Sequence, residues 1–289
     1  MDRATEIRKV LLLTLFLNLV VSGAKIAYGY RTRSVAISSD GFHSLFDAVS
    51  NIAGLAGIYL SSHPPDETHP YGHRKYETVL TIFVGVLMFA TCFEILKNVY
   101  ASFQGRYAAA VSTESFLVML VTLLVNLCVV TYERRAGQRL GSEFLVADAL
   151  HTGSDVIVTL GVLVGLVFIR LGFPLADPLV GIAVGLFIAK TGVSIIREST
   201  ETLVDRTQAD TSAIREAACS VPGVVECHDI RTRGPKNYVF VDLHVLVPPS
   251  LSVEDAHRIA DTVEEEIRGR LPEVVDVVVH IEPSPRGRV

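Results

Sequence analysis

Six apolar runs, each near the roughly 20 residues that a helix needs to cross a bilayer, alternate with short polar stretches over the first two-thirds of the chain. They extend from Val10 to Tyr30, Val35 to Leu60, Val79 to Tyr100, Phe116 to Tyr132, Phe144 to Ile169 and Pro174 to Ile196. Beyond them the pattern changes to that of a small soluble domain. Asp210-Thr-Ser-Ala-Ile-Arg-Glu opens a helix with Ala213, Ile214, Ala217 and Ala218 on one face. Strands are predicted over Val224 to Thr232 and Tyr238 to Val247, around a Gly-Pro-Lys-Asn turn. Ser252-Val-Glu-Asp255 is a capping box for a helix that buries Val253, Ala256, Ile259/Ala260, Val263 and Ile267, and a last strand runs from Val274 to Glu282. The expectation is an α-helical membrane protein: a six-helix bundle over 1–204, then an α-β-β-α-β domain over 205–289.

The first run could be taken for a signal peptide, since Arg8-Lys9 precede it and Ser22-Gly23-Ala24 lie near its end. Apolar character resumes after Lys25 as far as Tyr30, so a retained helix is expected. An even number of spans puts both termini on one side. The flanks there carry Arg3, Arg8, Lys9, Arg74, Lys75, Arg134, Arg135, Arg139 and Arg197, against Arg31, Arg33, Arg106 and Arg170 on the other, which favours cytoplasmic termini. Composition fits two unlike regions, with 49% hydrophobic residues beside 20% charged ones. From Arg206 onward 10 Lys and Arg face 14 Asp and Glu, so nearly all of the net charge of −5 lies in the tail, which argues against nucleic-acid binding. Cys92, Cys128, Cys219 and Cys227 form no C-x-x-C pair and read as inert thiols. Gly161-x-x-x-Gly165 and Gly181-x-x-x-Gly185 would let helices approach closely.

The chemistry concentrates in a repeated pattern. Asp40-Gly-Phe-His43-Ser44-Leu-Phe-Asp47 in the second run and Asp148-Ala-Leu-His151-Thr152-Gly-Ser-Asp155 in the fifth both read D-x-x-H-[S/T]-x-x-D. Helical spacing puts each Asp, His and Asp on one face. Ionisable groups at membrane depth are costly and usually functional. His43, Asp47, His151 and Asp155 supply four N/O ligands, and their two carboxylates balance a divalent cation. The competing reading is a set of buried polar groups that knit helices together. Asp40 and Asp148, one turn earlier, are either supports for the ligands or helix-packing groups.

Two further clusters lie outside the bilayer. Asp66, His69 and His73 fall within eight residues of the loop after the second span. His228, His244, His257, His280 and Glu282 lie in the tail, where His280 and Glu282 share a strand face and His257 falls on the polar side of its helix. For both, solvated polar surface is the alternative to a metal site.

Together these motifs resemble the cation diffusion facilitator family. The resemblance rests on the D-x-x-H-S-x-x-D of the second span, the Asp66 to Glu77 loop (D-x-x-H-P-x-G-H-x-K-x-E), the H-x-x-x-D of the fifth span, Asp177-Pro178 opening the sixth, and the tail order. It covers about Val10 to Pro283. It implies a homodimeric, multi-pass transporter of the plasma (inner) membrane, not an enzyme, that exports a divalent metal against a proton influx, with a metallochaperone-like cytoplasmic domain. It also implies a transport site on His43, Asp47, His151 and Asp155, and a loop site on Asp66, His69 and His73. A binuclear tail site would use His228, His244, His257, His280 and Glu282, the last replacing an Asp. A Lys75–Asp205 contact would tie bundle to tail. Between the fourth and fifth spans only Glu133-Arg-Arg-Ala-Gly-Gln-Arg stands where many zinc exporters carry a His-rich loop.

Two His with two Asp suit Zn2+, whereas all-carboxylate sites suit manganese. Iron(II), manganese, cobalt(II) and cadmium are the alternative cargoes. A metal-sensing scaffold that binds without transporting is the rival from another class. An intramembrane metalloenzyme is disfavoured, because no H-E-x-x-H motif is present.

Overall fold

The computed structural model describes residues 3–32, 35–104, 113–170 and 176–285; within these, the side chains of 29–47 and of scattered other helical positions are outside the description. It divides into two compact units, Met1–Ser199 and Thr200–Val289. The first unit holds six long helices: α1 Arg3–Thr32, α2 Val35–Ser61, α3 Lys75–Phe103, α4 Thr113–Leu140, α5 Glu143–Arg170 and α6, which starts at Ala176 and runs on to Leu203. Among the described residues, Arg3–Tyr28, Lys75–Lys97, Glu143–Gly161 and Pro178–Leu203 are long and apolar enough to cross a membrane. The helices outrun the apolar runs because good helix formers continue into water. Thus Glu133 to Arg139, expected as a loop, lies inside α4. The α4–α5 connection shrinks to Gly141, at φ +58 where a side chain would be strained, and Ser142, whose Oγ accepts the Leu145 N–H at 3.3 Å.

Packing within the bundle fixes helix directions. Phe144 of α5 fills the space beside Gly54 of α2, where a Cβ would stand 2.3 Å from the ring. Gly85 and Gly192 bring α3 and α6 together, since a Cβ at 192 would lie 3.3 Å from the Gly85 carbonyl oxygen. Ile7, Leu11, Ile58, Val84, Met88, Phe144, Leu145 and Ile188 form the buried apolar core at this end of the bundle.

A buried ion pair closes that same end. Arg3 donates to Glu77 at 3.0 Å from both terminal nitrogens, and also to the Leu140 and Gly141 carbonyls at 2.7 and 2.8 Å. Ser142 Oγ donates to Glu77 Oε1 at 2.5 Å. The start of α1, the first turn of α3 and the α4–α5 corner are therefore tied at one carboxylate. Glu77→Ala would leave the guanidinium without its counter-charge, held only by the two carbonyls, and the Ser142 hydroxyl without its acceptor in a largely enclosed site, a loss of about 3 kcal/mol. The expected outcome is a clearly lower thermal midpoint of the purified protein in detergent, and Glu77→Gln, which keeps an acceptor, should lose less.

In the second unit, α7 Thr211–Cys219 is capped by Asp210, which accepts from the N–H groups of Ser212 and Ala213. The strands are β1 Glu226–Arg233, β2 Val239–Val247 and β3 Val274–Pro283, with α8 Val253–Arg270 crossing between the last two. The sheet order is β1-β2-β3, β1 antiparallel to β2 and β2 parallel to β3. Central β2 alternates as far as Val245: Val239, Val241, Leu243, Val245 and Val247 are buried against Ile214, Ala217, Val263 and Ile267, with Leu246 buried too at the strand's end. That alternation turns Asp242 and His244 to the opposite face.

Candidate metal centres

In the bundle, α5 carries His151, buried, and Asp155 one turn on, whose Oδ2 is also buried. The side chains of His43, Asp47, Asp40 and Asp177 lie outside the described residues. Asp148 joins helices rather than standing alone. Its Oδ1 accepts from Ser50 Oγ at 2.6 Å and its Oδ2 from Asn51 Nδ2 at 3.0 Å. Asn51 in turn accepts from Asn18 at 2.9 Å and donates to Thr14 at 3.3 Å, so α1, α2 and α5 share one hydrogen-bonded chain. Sequence reading missed Thr14, Asn18, Ser50 and Asn51; the signal available was two amides inside runs otherwise apolar enough for lipid.

The loop cluster is preformed. Asp66 folds the turn by accepting from the Thr68 N–H and hydroxyl at 2.9 and 2.8 Å and from the His69 N–H at 2.7 Å. The Thr68 hydroxyl, with these amides, lowers the Asp66 carboxyl to about 2. Its contribution to the turn is therefore present above the unfolded carboxyl value and lost only as pH falls through about 2. His69 Nδ1 and His73 Nε2 lie 3.5 and 3.4 Å from the two Asp66 oxygens. The other nitrogen of His73 is within 3.2 Å of the Pro64 carbonyl, which orients the ring, and Tyr76 stacks on it at 5.9 Å. One donor atom from each of Asp66, His69 and His73 falls within 4.8 Å of the others.

The tail cluster is built by strand register. His228, His244 and His280 are direct cross-strand partners in β1, β2 and β3, forming a row on the face away from the core. Glu282, two residues after His280, reaches back to all three: 2.8 Å to His244 Nδ1, 3.4 Å to His228 Nε2 and 3.6 Å to His280 Nε2. The His244 hydrogen bond, followed by the nearby charges, holds the Glu282 carboxyl below its usual range, so it stays anionic at neutral pH. Two overlapping donor sets result, His244–His280–Glu282 and His228–Asp229–His244.

Asp229 was not visible from sequence spacing. It sits at φ +48 within the bulge between His228 and Arg231, and that kink aims its carboxylate alongside His228, 3.5 Å away. His257 is 76% exposed on α8, beside Asp261 at 3.8 Å, and belongs to neither set within one chain. Lys75 begins α3, and Asp205 lies in the turn just after α6, at φ +59. They fall in different units.

Similarity to known proteins points the same way. Residues 11–204 match the family profile of the cation efflux transmembrane domain, and 207–284 match that of the cation efflux protein cytoplasmic domain. The chain is 33% identical to the uncharacterized transporter MJ0449 of Methanocaldococcus jannaschii, over 96% of its own length and 98% of the relative's. It is 28% identical to the manganese efflux system protein MneS of Bacillus subtilis, covering 98% and 99% of the two chains. With the cation-efflux pump FieF of Serratia proteamaculans the identity is 30%, over 91% and 89%. A solved nickel form of the MamM CTD is 28% identical, covering 26% of this chain and 94% of that one at a TM-score of 0.25.

Proposed function

The chain belongs to the cation efflux, or cation diffusion facilitator, family, and from that premise we propose that this multi-pass membrane protein exports Zn2+ from the cytoplasm in exchange for protons. Its work is transport rather than enzyme catalysis. Six helices cross the bilayer with both termini cytoplasmic, in the plasma membrane, and the functional boundary falls between 204 and 205.

One observation carries the transport site. Gly54 of α2 faces Phe144 of α5, and Ser50 faces Asp148, so four residues back along α2 correspond to four forward along α5. The helices are antiparallel here. Continuing that register brings position 47 level with His151 and position 43 level with Asp155. Each level then pairs one imidazole with one carboxylate, a set of two His and two Asp that suits zinc. The two carboxylate charges cancel the ion's, which makes the loaded site tolerable in low dielectric.

Proton coupling follows from the same ligands. Metal binding needs neutral imidazole, and free imidazole takes up a proton near pH ~6.5. Facing the cytoplasm, His43 and His151 take the ion; facing a more acidic exterior, they protonate and release it, and the return step carries the proton inward. Apparent affinity should fall as pH drops through the imidazole range. Calorimetry in buffers of different ionisation enthalpy, on protein lacking the loop and tail sites, should count protons released per zinc. A count of zero between about pH 6 and 7.5 would rule the coupling out while leaving the metal site standing.

The loop and tail sets are assigned regulatory or structural zinc. The tail pairs two copies into a homodimer, His257 completing its site from the second copy. The relative described as a manganese efflux protein favours one alternative cargo. A metal-by-metal assay in proteoliposomes under an imposed pH gradient decides between them. Uptake of zinc that needs the gradient supports this reading, whereas gradient-independent saturation would make the protein a metal-binding scaffold.

A further inference from the structure

One face of α1 is not used by that mechanism. Its buried positions run Ile7, Leu11, Thr14, Asn18, Ser22 and Lys25, at helical spacing, apolar at the start and polar beyond. Lys25 is the extreme case: only 5% exposed, on a helix whose outward positions (Leu12, Phe16, Leu19 and Val20) are those left open to lipid. A lysine that escaped to the bilayer surface would not be enclosed by its own bundle. An enclosed ammonium at this depth is costly unless an anion offsets it.

The register against α2 shows which depth this is. Arg8 of α1 donates to Ser62, the residue after α2, at 3.1 Å, Leu11 lies beside Gly54, and Asn18 donates to Asn51. These two helices are also antiparallel. Seven residues beyond Asn18 along α1 is Lys25; seven back from Asn51 along α2 is Ser44, next to His43. By the α2–α5 register that is also the level of Asp155. The single inward ammonium on the described part of α1 therefore stands at the level of the proposed transport ligands.

We propose that Lys25 is the resident counter-ion of the transport site, completing with the protonated imidazole the charge that offsets Asp47 and Asp155 whenever no metal is bound. The inference rests on the transporter reading above. When the metal leaves, two carboxylates remain at membrane depth; the proton carried on one imidazole offsets only one of them, and the empty site recrosses without a net charge only if a second positive group stands in for the rest of the ion's charge. A flexible four-carbon stem ending in a compact ammonium can swing in as the ion departs and withdraw as it returns. Lys25 thereby acts as a positioning residue for the empty carrier and as an intramolecular competitor of the metal.

The two roles separate in transport mode. Net zinc efflux driven by a pH gradient requires the empty site to recross, whereas zinc-for-zinc exchange uses only the loaded site. In proteoliposomes of the full-length dimer, Lys25→Met should slow net efflux about tenfold or more, leave exchange within about twofold of wild type, and lower the KM for zinc. Lys25→Arg should keep both modes. Lys25→Gln repeats the test in case methionine perturbs packing. Equal loss of both modes in Lys25→Met and Lys25→Gln would make Lys25 a packing residue, and unchanged net efflux would make it irrelevant; either overturns the proposal. Wild-type protein that shows neither mode would overturn the transporter reading itself, and this inference with it.

Discussion

Asp155→Ala is expected to reduce zinc efflux to the background of protein-free liposomes, while the purified protein keeps its dimeric state and thermal midpoint within a few degrees. The asymmetry follows from the different parts that Asp155 and Asp148 take. It is one turn from His151 on the inner face of α5, and its Oδ2 is buried. Removing it takes away one of four proposed ligands and half of the negative charge that balances the ion. Among the described residues, Asp148, Ser50, Asn51 and Asn18 carry hydrogen bonds that tie α5 to α2 and α2 to α1, and these remain. Asp148→Ala should therefore show the opposite balance, with a loss of stability first. Its removal leaves the buried Ser50 and Asn51 donors without their acceptor, at about 1–3 kcal/mol each. Near-normal flux from Asp155→Ala would remove the site assignment; an Asp148→Ala protein as stable as wild type would show that the polar chain between the helices carries little weight.

Zinc is expected to stabilise the isolated segment 205–289 by about 2.7 kcal/mol at a hundredfold excess over its Kd, because binding confined to the folded form adds RT ln(1 + [L]/Kd). The segment has its own closed core around Ile214, Leu243, Val263 and Ile267, so it can be tested alone. His280→Ala and His244→Ala should each abolish most of the shift, since His244 belongs to both donor sets and His280 to one. Asp229→Ala should cost only part of it. His257→Ala should matter only under conditions in which the segment is dimeric, because within one chain that ring lies apart from the row. Differential scanning calorimetry across protein concentrations reads all four. Melting that ignores zinc would return these histidines to ordinary surface residues.

Much of the architecture was legible because it is local. A bilayer requires about 20 apolar residues in a row, and a helix places residues three, four and seven apart on one face, so the spans and the paired His–Asp motifs could be read by counting. The tail order was readable for the same reason: the capping residues Asp210 and Ser252, the turn at Gly234 and the alternation of β2 are all short-range signals. Where the reading stopped short, as at Glu133 to Arg139, the helix runs through Gly137, which packs closely against Leu145 and Val146, and ends only at Gly141.

What the sequence by itself determined, then, was which residue types could bind a cation and on which element each one sits. The tertiary structure decided which of them meet. His228, His244 and His280 become neighbours only because an antiparallel hairpin with a bulge and a parallel crossover happen to share one register. Asp229 joins them through a backbone kink that no spacing rule announces, and His257 stays out because α8 turns it to solvent. Thr14, Asn18, Ser22 and Lys25 look like minor interruptions of an apolar run until packing against α2 and α4 turns that one face inward. The physical reason is the same in each case. Spacing along one element is fixed by backbone geometry, whereas pairing between elements far apart in the chain is fixed by how all of their side chains pack at once.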